Sequence, residues 1–342
     1  MTETLTLTEP VLEEAAQRLL RAEASRTPCA PVRDLIGPDD LRAAYDVQRR
    51  VVAARRAGGA VVVGRKIGLT SDAVQRQLGV DQPDFGILLD SMSYFGGDTI
   101  PVDSVMQPRA EAEIAFVLAE DLRDGPLDTA QVRAAIDHAV AALEICGSRI
   151  RDWDISFADT VADNASSGAF VLGPRRMRLD EFEPRDVVMS LSIDGAEVAT
   201  GNGAACLGDP LEAVVWLARQ ARELGEPLRA GQVILSGALG PMRPVTAGDQ
   251  VTARVPPLGA VTVSLAAGDI SDVVGRNTSD VAGRNTPDLA GRNTSDVAGR
   301  NTSDVAGRNT PDLAGRNTPD VVGRNTSDVV GRNTPRLAEG ES

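Results

Sequence analysis

Apolar residues follow two patterns along the chain, a helical spacing and a strand spacing. The helical spacing predicts helices over residues 9–24, 39–57, 71–79, 129–143 and 209–225. Alternation and short apolar runs predict strands over residues 60–69, 111–120, 144–150, 169–173, 186–195, 232–239, 249–255 and 260–266. Strands dominate the second half, which indicates an α+β protein with a curled sheet rather than a doubly wound α/β fold.

The pattern changes after residue 270, where an eight-residue unit of the type SDVVGRNT begins at Ser271 and occurs eight times, up to Thr334. Each copy has one Asp, one Arg and two small apolar residues that are adjacent in sequence. Adjacent side chains face opposite sides of a strand, and Gly, Asn and Pro favour turns. We therefore expect a neutral, disordered tail over residues 271–342, with a regular solenoid or an assembly tag as the alternatives.

Composition narrows the class of protein. The net charge of -14 argues against nucleic acid or an anionic membrane surface as the main partner. No apolar run is long enough to span a bilayer, and the acidic N-terminus lacks the pattern of a secretory signal. Three scattered cysteines indicate neither a disulfide framework nor a zinc site. We expect a cytoplasmic protein.

Two residue types occur once each. His138 is the only histidine, and its place in the predicted helix 129–143 suggests a helix-surface residue. Lys66 is the only lysine in a chain that otherwise uses Arg. A lysine retained in such a composition suggests a role for a compact charge or a tunable amine, which a guanidinium cannot supply.

Carboxylates in apolar segments are the first candidate chemistry. Glu111 and Glu113 lie two residues apart on a predicted strand, so both face the same way. Simple exposure to solvent would explain such a pair, and so would a bound cation. Glu144, flanked by apolar residues, favours the cation. Three carboxylates without a His or Cys partner form a hard oxygen set suited to Mg²⁺ or Mn²⁺ rather than zinc.

Three loop-like segments are weaker candidates, and turns would explain each of them. Lys66 lies in GRKIGLTS, and Asp84 lies in a loop bounded by Pro and Gly. Asn164, Ser166 and Ser167 lie in VADNASSG, where small residues let backbone amides approach a ligand.

Taken together, the motifs resemble one family. The segments GRKIGLTS, QLGVDQPDFG, QPRAEAEIAFVL, ALEICGSRIRDW, VADNASSG, CLGDPLEAVVWLA and LGEPLRAGQVILSGALGPM occur in the order seen in the 2-keto-4-pentenoate hydratases of the fumarylacetoacetate hydrolase-like superfamily. The resemblance covers about residues 5–266. It implies layered, curled mixed β-sheets with outer helices. We expect an N-terminal helical part (1–60), a catalytic domain (61–270) and the repeat tail.

The resemblance also implies roles for individual residues. Glu111, Glu113 and Glu144 match the ligands of a Mg²⁺ or Mn²⁺ ion, and Lys66, Asp84 and Glu144 match catalytic positions. The substrate-binding candidates are Lys66, Ser166 and, as a runner-up for gripping the carboxylate, Arg149.

The implied reaction adds water to 2-hydroxypenta-2,4-dienoate in the meta-cleavage catabolism of aromatic compounds. The alternatives are a 4-oxalocrotonate decarboxylase or an acylpyruvate hydrolase on the same scaffold, and a non-catalytic scaffold protein. The stretch from Ser236 to Met242 looks like the hydratase version, since Leu239 and Met242 suit a vinyl end better than a second carboxylate. We expect a small-molecule 2-hydroxydienoate substrate, a homo-oligomer, and neither nucleic acid nor membrane as a partner; a complex with neighbouring pathway enzymes stays open.

Overall fold

The computed structural model describes residues 8–71, 75 and 80–268. The repeat tail lies outside the described residues, as does the helix predicted over 71–79 apart from Ser71 and Gln75. The α-helices are α1 (Glu9–Ser25), α2 (Arg33–Ile36), α3 (Leu41–Ala57), α4 (Thr129–Ala135), α5 (Phe157–Ala162) and α6 (Pro210–Glu223). The strands are β1 (Val62–Gly68), β2 (Asp84–Leu89), β3 (Ser93–Phe95), β4 (Thr99–Pro101), β5 (Arg109–Leu118), β6 (Ile136–Cys146), β7 (Ala169–Leu172), β8 (Val188–Ile193), β9 (Ala196–Asn202), β10 (Val233–Leu235), β11 (Arg243–Pro244), β12 (Gln250–Arg254) and β13 (Ala260–Ala266).

The described strands form two mixed sheets. The larger has the order β2-β1-β10-β5-β6-β7-β3, with β11 also paired to β5, and the smaller has the order β4-β13-β12-β8-β9. Strands β12 and β13 lie against β6, and the apolar side chains between the two sheets form one continuous core. This architecture confirms the α+β class with layered, mixed sheets.

The first three helices build a second, smaller core with α5. Leu12, Leu19 and Val47 are buried there against Phe157. Local signals set the limits of these helices: Pro10 lies in the first turn of α1, and the Asp40 side chain accepts a hydrogen bond from the Ala43 amide at the start of α3. The predicted helices 9–24 and 39–57 are therefore confirmed, whereas the domain boundaries stay a prediction.

One predicted helix is largely a strand. Of residues 129–143, helix α4 ends at Ala135, and β6 begins at Ile136. The alanines of this segment favour a helix locally, but β6 is a central strand between β5 and β7 and is buried on both faces. His138 is therefore a buried strand residue, 6% exposed, and not a helix-surface residue.

A second correction concerns Asp84, which was expected in a loop. It is the first residue of β2, a strand that is buried along its whole length. Strand β2 pairs antiparallel with β1, so that Asp84 lies opposite Gly68 and Gly86 lies opposite Lys66. The pairing brings two of the weaker sequence candidates to the same part of the sheet.

Candidate metal and catalytic site

The register of β5 and β6 assembles the three glutamates. Glu111 lies directly opposite Glu144, and Glu113 lies opposite Ala142. Side chains two residues apart on a strand share a face, so Glu113 is a diagonal neighbour of Glu144 on that face. The long antiparallel pairing of two central strands thus brings together residues that are 33 positions apart in sequence (111 to 144).

These carboxylates are inside the protein. Glu113 is 0% exposed and Glu144 is 1% exposed, while Glu111 is partly buried. Solvent exposure therefore does not explain the Glu-x-Glu pair. Glu113 Oε2 accepts a hydrogen bond of 2.8 Å from the Gly237 amide.

Several buried oxygens accept no hydrogen bond from any described residue. They are Asp84 Oδ1, Glu113 Oε1, Glu144 Oε1 and Glu144 Oε2, and we call them the open oxygens. Buried polar atoms are normally hydrogen-bonded, because an unpartnered one has lost its water without replacement. Glu144 Oε1 has the Lys66 ammonium at 3.4 Å as an ion-pair neighbour but receives no hydrogen bond. Four open oxygens in one place therefore indicate a ligand site.

The net charge of these residues also indicates a ligand site. Asp84, Glu111, Glu113 and Glu144 surround one ammonium, that of Lys66, which gives the group a net charge of -3 when all five are ionised. Burial raises the pKa of Glu144 to about 7, against the opposing effect of Lys66. Burial and the negative charges of Glu144 and Glu111 raise the pKa of Glu113 well above its usual value. The excess negative charge of the group therefore has to be compensated by bound protons or by a cation.

Lys66 lies at the centre of this group and is 4% exposed. Its Nζ donates a hydrogen bond of 3.0 Å to the Ala165 carbonyl and lies 3.4 Å from Glu144 Oε1. Burial alone would lower the pKa of Lys66, but the surrounding carboxylates, Glu144 foremost, raise it well above the usual value. Lys66 is thus a fixed positive charge beside the carboxylates.

Asp84 approaches Lys66 across Gly68. A Cβ atom at Gly68 would come within 2.2 Å of Asp84 Oδ1 and 3.5 Å of Lys66 Nζ. Only glycine fits there, so the open oxygen of Asp84 and the ammonium border the same small space. Burial raises the pKa of Asp84, while Lys66 and Thr160 oppose this effect. Sequence reasoning singled out Lys66 and Asp84 but missed the role of Gly68.

A strained turn closes another side of the site. Asn164, Ala165 and Ser166 have φ values of +57°, +49° and +53°, a run of left-handed residues without glycine. Each such residue costs roughly 1–2 kcal/mol. The Asn164 side chain holds the turn by hydrogen bonds of 2.8 and 2.9 Å to the amide and carbonyl of Ile87. The turn presents the Ala165 carbonyl to Lys66, and strain of this kind is typical of functional sites.

Ser166 and Arg149 also lie at this turn. Ser166 Oγ is buried and has no hydrogen-bond partner in the described ranges. Arg149 donates from Nη1 to the Ser167 carbonyl at 2.8 Å, and its Nε and Nη2 contact the side chain and carbonyl of Asp163. Three guanidinium nitrogens of Arg149 thus bond the residues that flank the Asn164–Ser166 turn.

Cys146 was missed by the sequence reasoning. It lies two residues after Glu144 on β6, and its Sγ is 3.6 Å from Glu111 Oε2. The ligand atoms of Glu111, Glu144 and Cys146 all lie within 4.8 Å of one another. The Glu-x-Cys spacing on an apolar strand was the signal that could have identified it.

The residues fit a divalent cation. Buried carboxylate oxygens that lack donors, and that carry excess negative charge, are the hard ligands that Mg²⁺ and Mn²⁺ prefer. A dication would offset two of the three excess charges and occupy the open oxygens. Lys66 and Asp84 remain beside it as groups that can stabilise charge or transfer a proton.

No helix within the described ranges is long and apolar enough to cross a membrane.

Comparison with known proteins places the chain in a family. The sequence model of the family described as fumarylacetoacetate (FAA) hydrolase C-terminal matches residues 62–266. The TodF product hydratase of Pseudomonas putida is 51% identical over 271 residues, which cover 78% of this chain and 99% of that protein. The 2-keto-4-pentenoate hydratase of Paraburkholderia xenovorans is 50% identical over 261 residues, covering 76% of this chain and 97% of that protein.

A solved structure supports the same placement. The 4-oxalocrotonate decarboxylase from Pseudomonas putida G7, complexed with magnesium and adipate, matches with a TM-score of 0.73 and 34% identity over 76% of this chain and 99% of that chain. By sequence and by fold, the chain therefore belongs to the fumarylacetoacetate hydrolase family, and about half of its aligned residues are identical to those of two hydratases.

Proposed function

We propose that the protein is a metal-dependent hydratase that adds water to 2-hydroxypenta-2,4-dienoate and forms 4-hydroxy-2-oxopentanoate. The observation that carries the proposal is that about half of the aligned residues are identical to those of two hydratases, over nearly the whole length of both relatives. The buried carboxyl groups of Asp84, Glu111, Glu113 and Glu144 around Lys66, which we call the acid group, support it. A non-catalytic scaffold protein would have no use for four open oxygens.

Glu111, Glu113 and Glu144 are the proposed ligands of the divalent cation. Their support is burial, the shared strand face and the open oxygens of Glu113 and Glu144. Mg²⁺ or Mn²⁺ is the expected ion, in keeping with the oxygen donors and with the magnesium of the decarboxylase structure. When bound, the ion supplies Lewis-acid polarisation of the substrate's carboxylate and 2-oxygen.

Lys66 acts on the charge that develops at the 2-oxygen. Ketonisation removes the proton from the 2-hydroxyl and adds a proton at C5, which makes C4 electrophilic. The Lys66 ammonium, held by Ala165 and Glu144, stabilises the negative charge on the 2-oxygen during this step. Because its charge is already desolvated and positioned, little reorganisation accompanies the reaction.

Asp84 is the proposed proton carrier. Water then adds its hydroxyl to C4 and its proton to C3, so the product differs from the substrate by one water. Burial raises the pKa of Asp84, which suits a carboxyl group that alternates between its two protonation states. Glu144, whose pKa is raised by burial to about 7 in the cation-free protein, is the second proposed proton carrier, in alternation with its role as a ligand.

Ser166 and Arg149 have supporting roles in this proposal. The partner-free Oγ of Ser166 is the proposed hydrogen-bond donor to the substrate. Arg149 was a candidate for gripping the carboxylate, but its contacts with Asp163 and Ser167 favour a positioning role. It holds the left-handed turn from which Ala165 reaches Lys66.

Decarboxylation is the second candidate, supported by the match to 4-oxalocrotonate decarboxylase over 99% of that chain. The segment that follows β10 favours hydration. Its Gly237 amide bonds Glu113, and Leu239 is fully buried. An apolar side chain such as that of Leu239 suits a vinyl end better than a second carboxylate.

The test is a direct assay of the purified full chain. With Mg²⁺ or Mn²⁺ it should consume 2-hydroxypenta-2,4-dienoate, seen as loss of the dienol's ultraviolet absorbance, and release 4-hydroxy-2-oxopentanoate, identified by mass spectrometry. The same preparation offered 4-oxalocrotonate should release no carbon dioxide. Carbon dioxide release without hydration would replace the hydratase by the decarboxylase.

Assembly and location are also proposals. We propose a homo-oligomer that works in the cytoplasm, with a small-molecule dienoate as its substrate. Light scattering of the purified protein measures the mass of the assembly. A monomeric mass would contradict the homo-oligomer.

A further inference from the structure

A thiol lies at the edge of the acid group on the strand face that the glutamates share. Glu144 and Cys146 are two residues apart on β6, and Glu111 faces Glu144 from β5. Cys146 is 3% exposed, and its Sγ donates to Glu111 Oε2 at 3.6 Å. The thiol is therefore one more donor in direct contact with a carboxylate of the site.

The geometry fits a soft cation. Zinc binds sulfur at about 2.3 Å and carboxylate oxygen at about 2.1 Å, so a tetrahedral ion sets the two donors about 3.6 Å apart. The distance from Cys146 Sγ to Glu111 Oε2 is 3.6 Å. Glu144 lies within 4.8 Å of both and has two open oxygens, so small side-chain movements complete the set.

We propose that Glu111, Glu144 and Cys146 form a second donor set that captures a thiophilic divalent cation of the zinc class. Three protein donors leave the fourth tetrahedral position to water. Sγ bonds the cation as its proton leaves to solvent, and no electrons are transferred. A coordinating thiol is deprotonated by the ion it binds.

The two donor sets overlap. Glu111, Glu113 and Glu144 form the hard set, and Glu111, Glu144 and Cys146 form the soft set. Since Glu111 and Glu144 belong to both, one cation excludes the other, and thiophilic ions inhibit the enzyme. Capture of the soft cation stands on the geometry alone, whereas the exclusion rests on the proposed function.

Cadmium is the probe for capture, because a cadmium–thiolate bond absorbs in the ultraviolet. Cd²⁺ added to the full-length wild type should produce this band at one equivalent. Cys146→Ser should lose the band, and its Cd²⁺ affinity should fall by more than about 10²-fold, which exceeds the roughly 10- to 10²-fold that the loss of an outer hydrogen-bond partner causes.

Cys206→Ser is the matched control, since Cys206 is also a buried thiol but donates to the Ser236 carbonyl. It should keep the band. Cys146→Ala repeats the test, and the melting temperature of each variant verifies that it is folded. Persistence of the band at unchanged affinity in a folded Cys146 variant would overturn the proposal.

Electron paramagnetic resonance of bound Mn²⁺ tests the overlap separately. The Cd²⁺ concentration that releases Mn²⁺ should be at least about tenfold lower for the wild type than for Cys146→Ser. The Mn²⁺ affinity of the variant should differ little from that of the wild type. If Mn²⁺ stays bound in a protein that shows the cadmium band, the two cations do not share Glu111 and Glu144 as ligands. Failure of Mn²⁺ to bind either protein would contradict the proposed hard site and leave capture of Cd²⁺ to be judged by the band alone.

Discussion

Two buried charged groups lie close together in this protein and differ in how their charges are compensated. In the closed cluster, formed by Ser148, Arg149 and Asp163, one negative charge faces one positive charge. Asp163 accepts hydrogen bonds from the Ser148 hydroxyl at 2.9 Å and the Arg149 amide at 3.0 Å, besides the guanidinium. In the acid group around Lys66, four carboxyl groups face one ammonium and leave four open oxygens.

The difference separates a structural ion pair from a ligand site. Burial raises the pKa of Asp163 as it does that of Glu144, so pKa shifts alone do not distinguish the two groups. Hydrogen-bond completeness and charge balance do distinguish them. In the closed cluster, the residues themselves satisfy the hydrogen bonds and balance the charge. In the acid group, an added cation is needed to do both.

The largest expected effect comes from the acid group. Glu144→Gln removes a charged ligand that contacts Lys66, and turnover should fall by on the order of 10³-fold or more, since Lewis-acid stabilisation amounts to several kcal/mol. Mn²⁺ binding should weaken strongly in a calorimetric titration. Without a cation the variant should be at least as stable as the wild type, because one of the excess buried negative charges around Lys66 is gone.

Glu120→Gln is the control for that substitution, since Glu120 is exposed just beyond β5. It should keep wild-type turnover and Mn²⁺ affinity. Wild-type Mn²⁺ affinity in Glu144→Gln would show that Glu144 is no ligand.

A substitution in the closed cluster should instead lower the stability of the protein. Arg149→Met leaves Asp163 buried without its counter-charge, and the free energy of unfolding should fall by about 3–5 kcal/mol in urea titrations. Arg151→Met, at an exposed arginine two residues away, should change it by less than about 0.5 kcal/mol. Equal stability of the two variants would mean that the closed cluster is not a structural pair.

Lys66→Arg tests whether the single lysine is required as a point charge. Arg is longer and planar, and a misplacement of about 1 Å beside the reacting atoms costs on the order of 10²-fold in rate. The loss should appear in kcat more than in KM, because the contact strengthens in the transition state. Steady-state kinetics decide this, and wild-type kcat would mean that the carboxylates and the cation suffice.

The smallest effect expected is a pH dependence of the stability of the cation-free protein. Burial raises the pKa of Glu144 from 4.5 to about 7, so between these values the folded state holds a proton that the unfolded chain has released. Stability therefore falls as pH rises through this range. With chelator, the free energy of unfolding should fall by about 2 kcal/mol between pH 5.5 and pH 7.5, which corresponds to a drop of roughly 4–8 °C in the melting temperature.

Added Mg²⁺ should remove most of this drop, since it compensates the ionised carboxylates. The same scan of Glu144→Gln should be flatter with chelator. A wild-type melting temperature that rises with pH in chelator would contradict the assignment of Glu144 as a buried acid.

The sequence by itself determined three of the amphipathic helices, over 9–24, 39–57 and 209–225, and it identified the candidate residues of the site. The helix predicted over 209–225 is α6, because its apolar period, Asp209 cap and Pro210 are local signals that need no distant partner. Glu111, Glu113 and Glu144 were identified as candidates because carboxylates in apolar segments are conspicuous without coordinates. Lys66 was identified because it is the only lysine, and Asp84 because its segment matches a motif of the family. The structure brings Lys66, Glu111, Glu113 and Glu144 into one buried group.

The tertiary structure alone decided the strand β6, the buried position of His138, the turn at Asn164–Ser166 and the place of Cys146. Residues 136–143 have a local preference for helix, and pairing with β5 and β7 outweighs it. The turn is strained and persists because Asn164 and Arg149 hold it from other segments. Cross-strand register is a property of two distant segments, so the sequence of either one does not specify that Cys146 contacts Glu111.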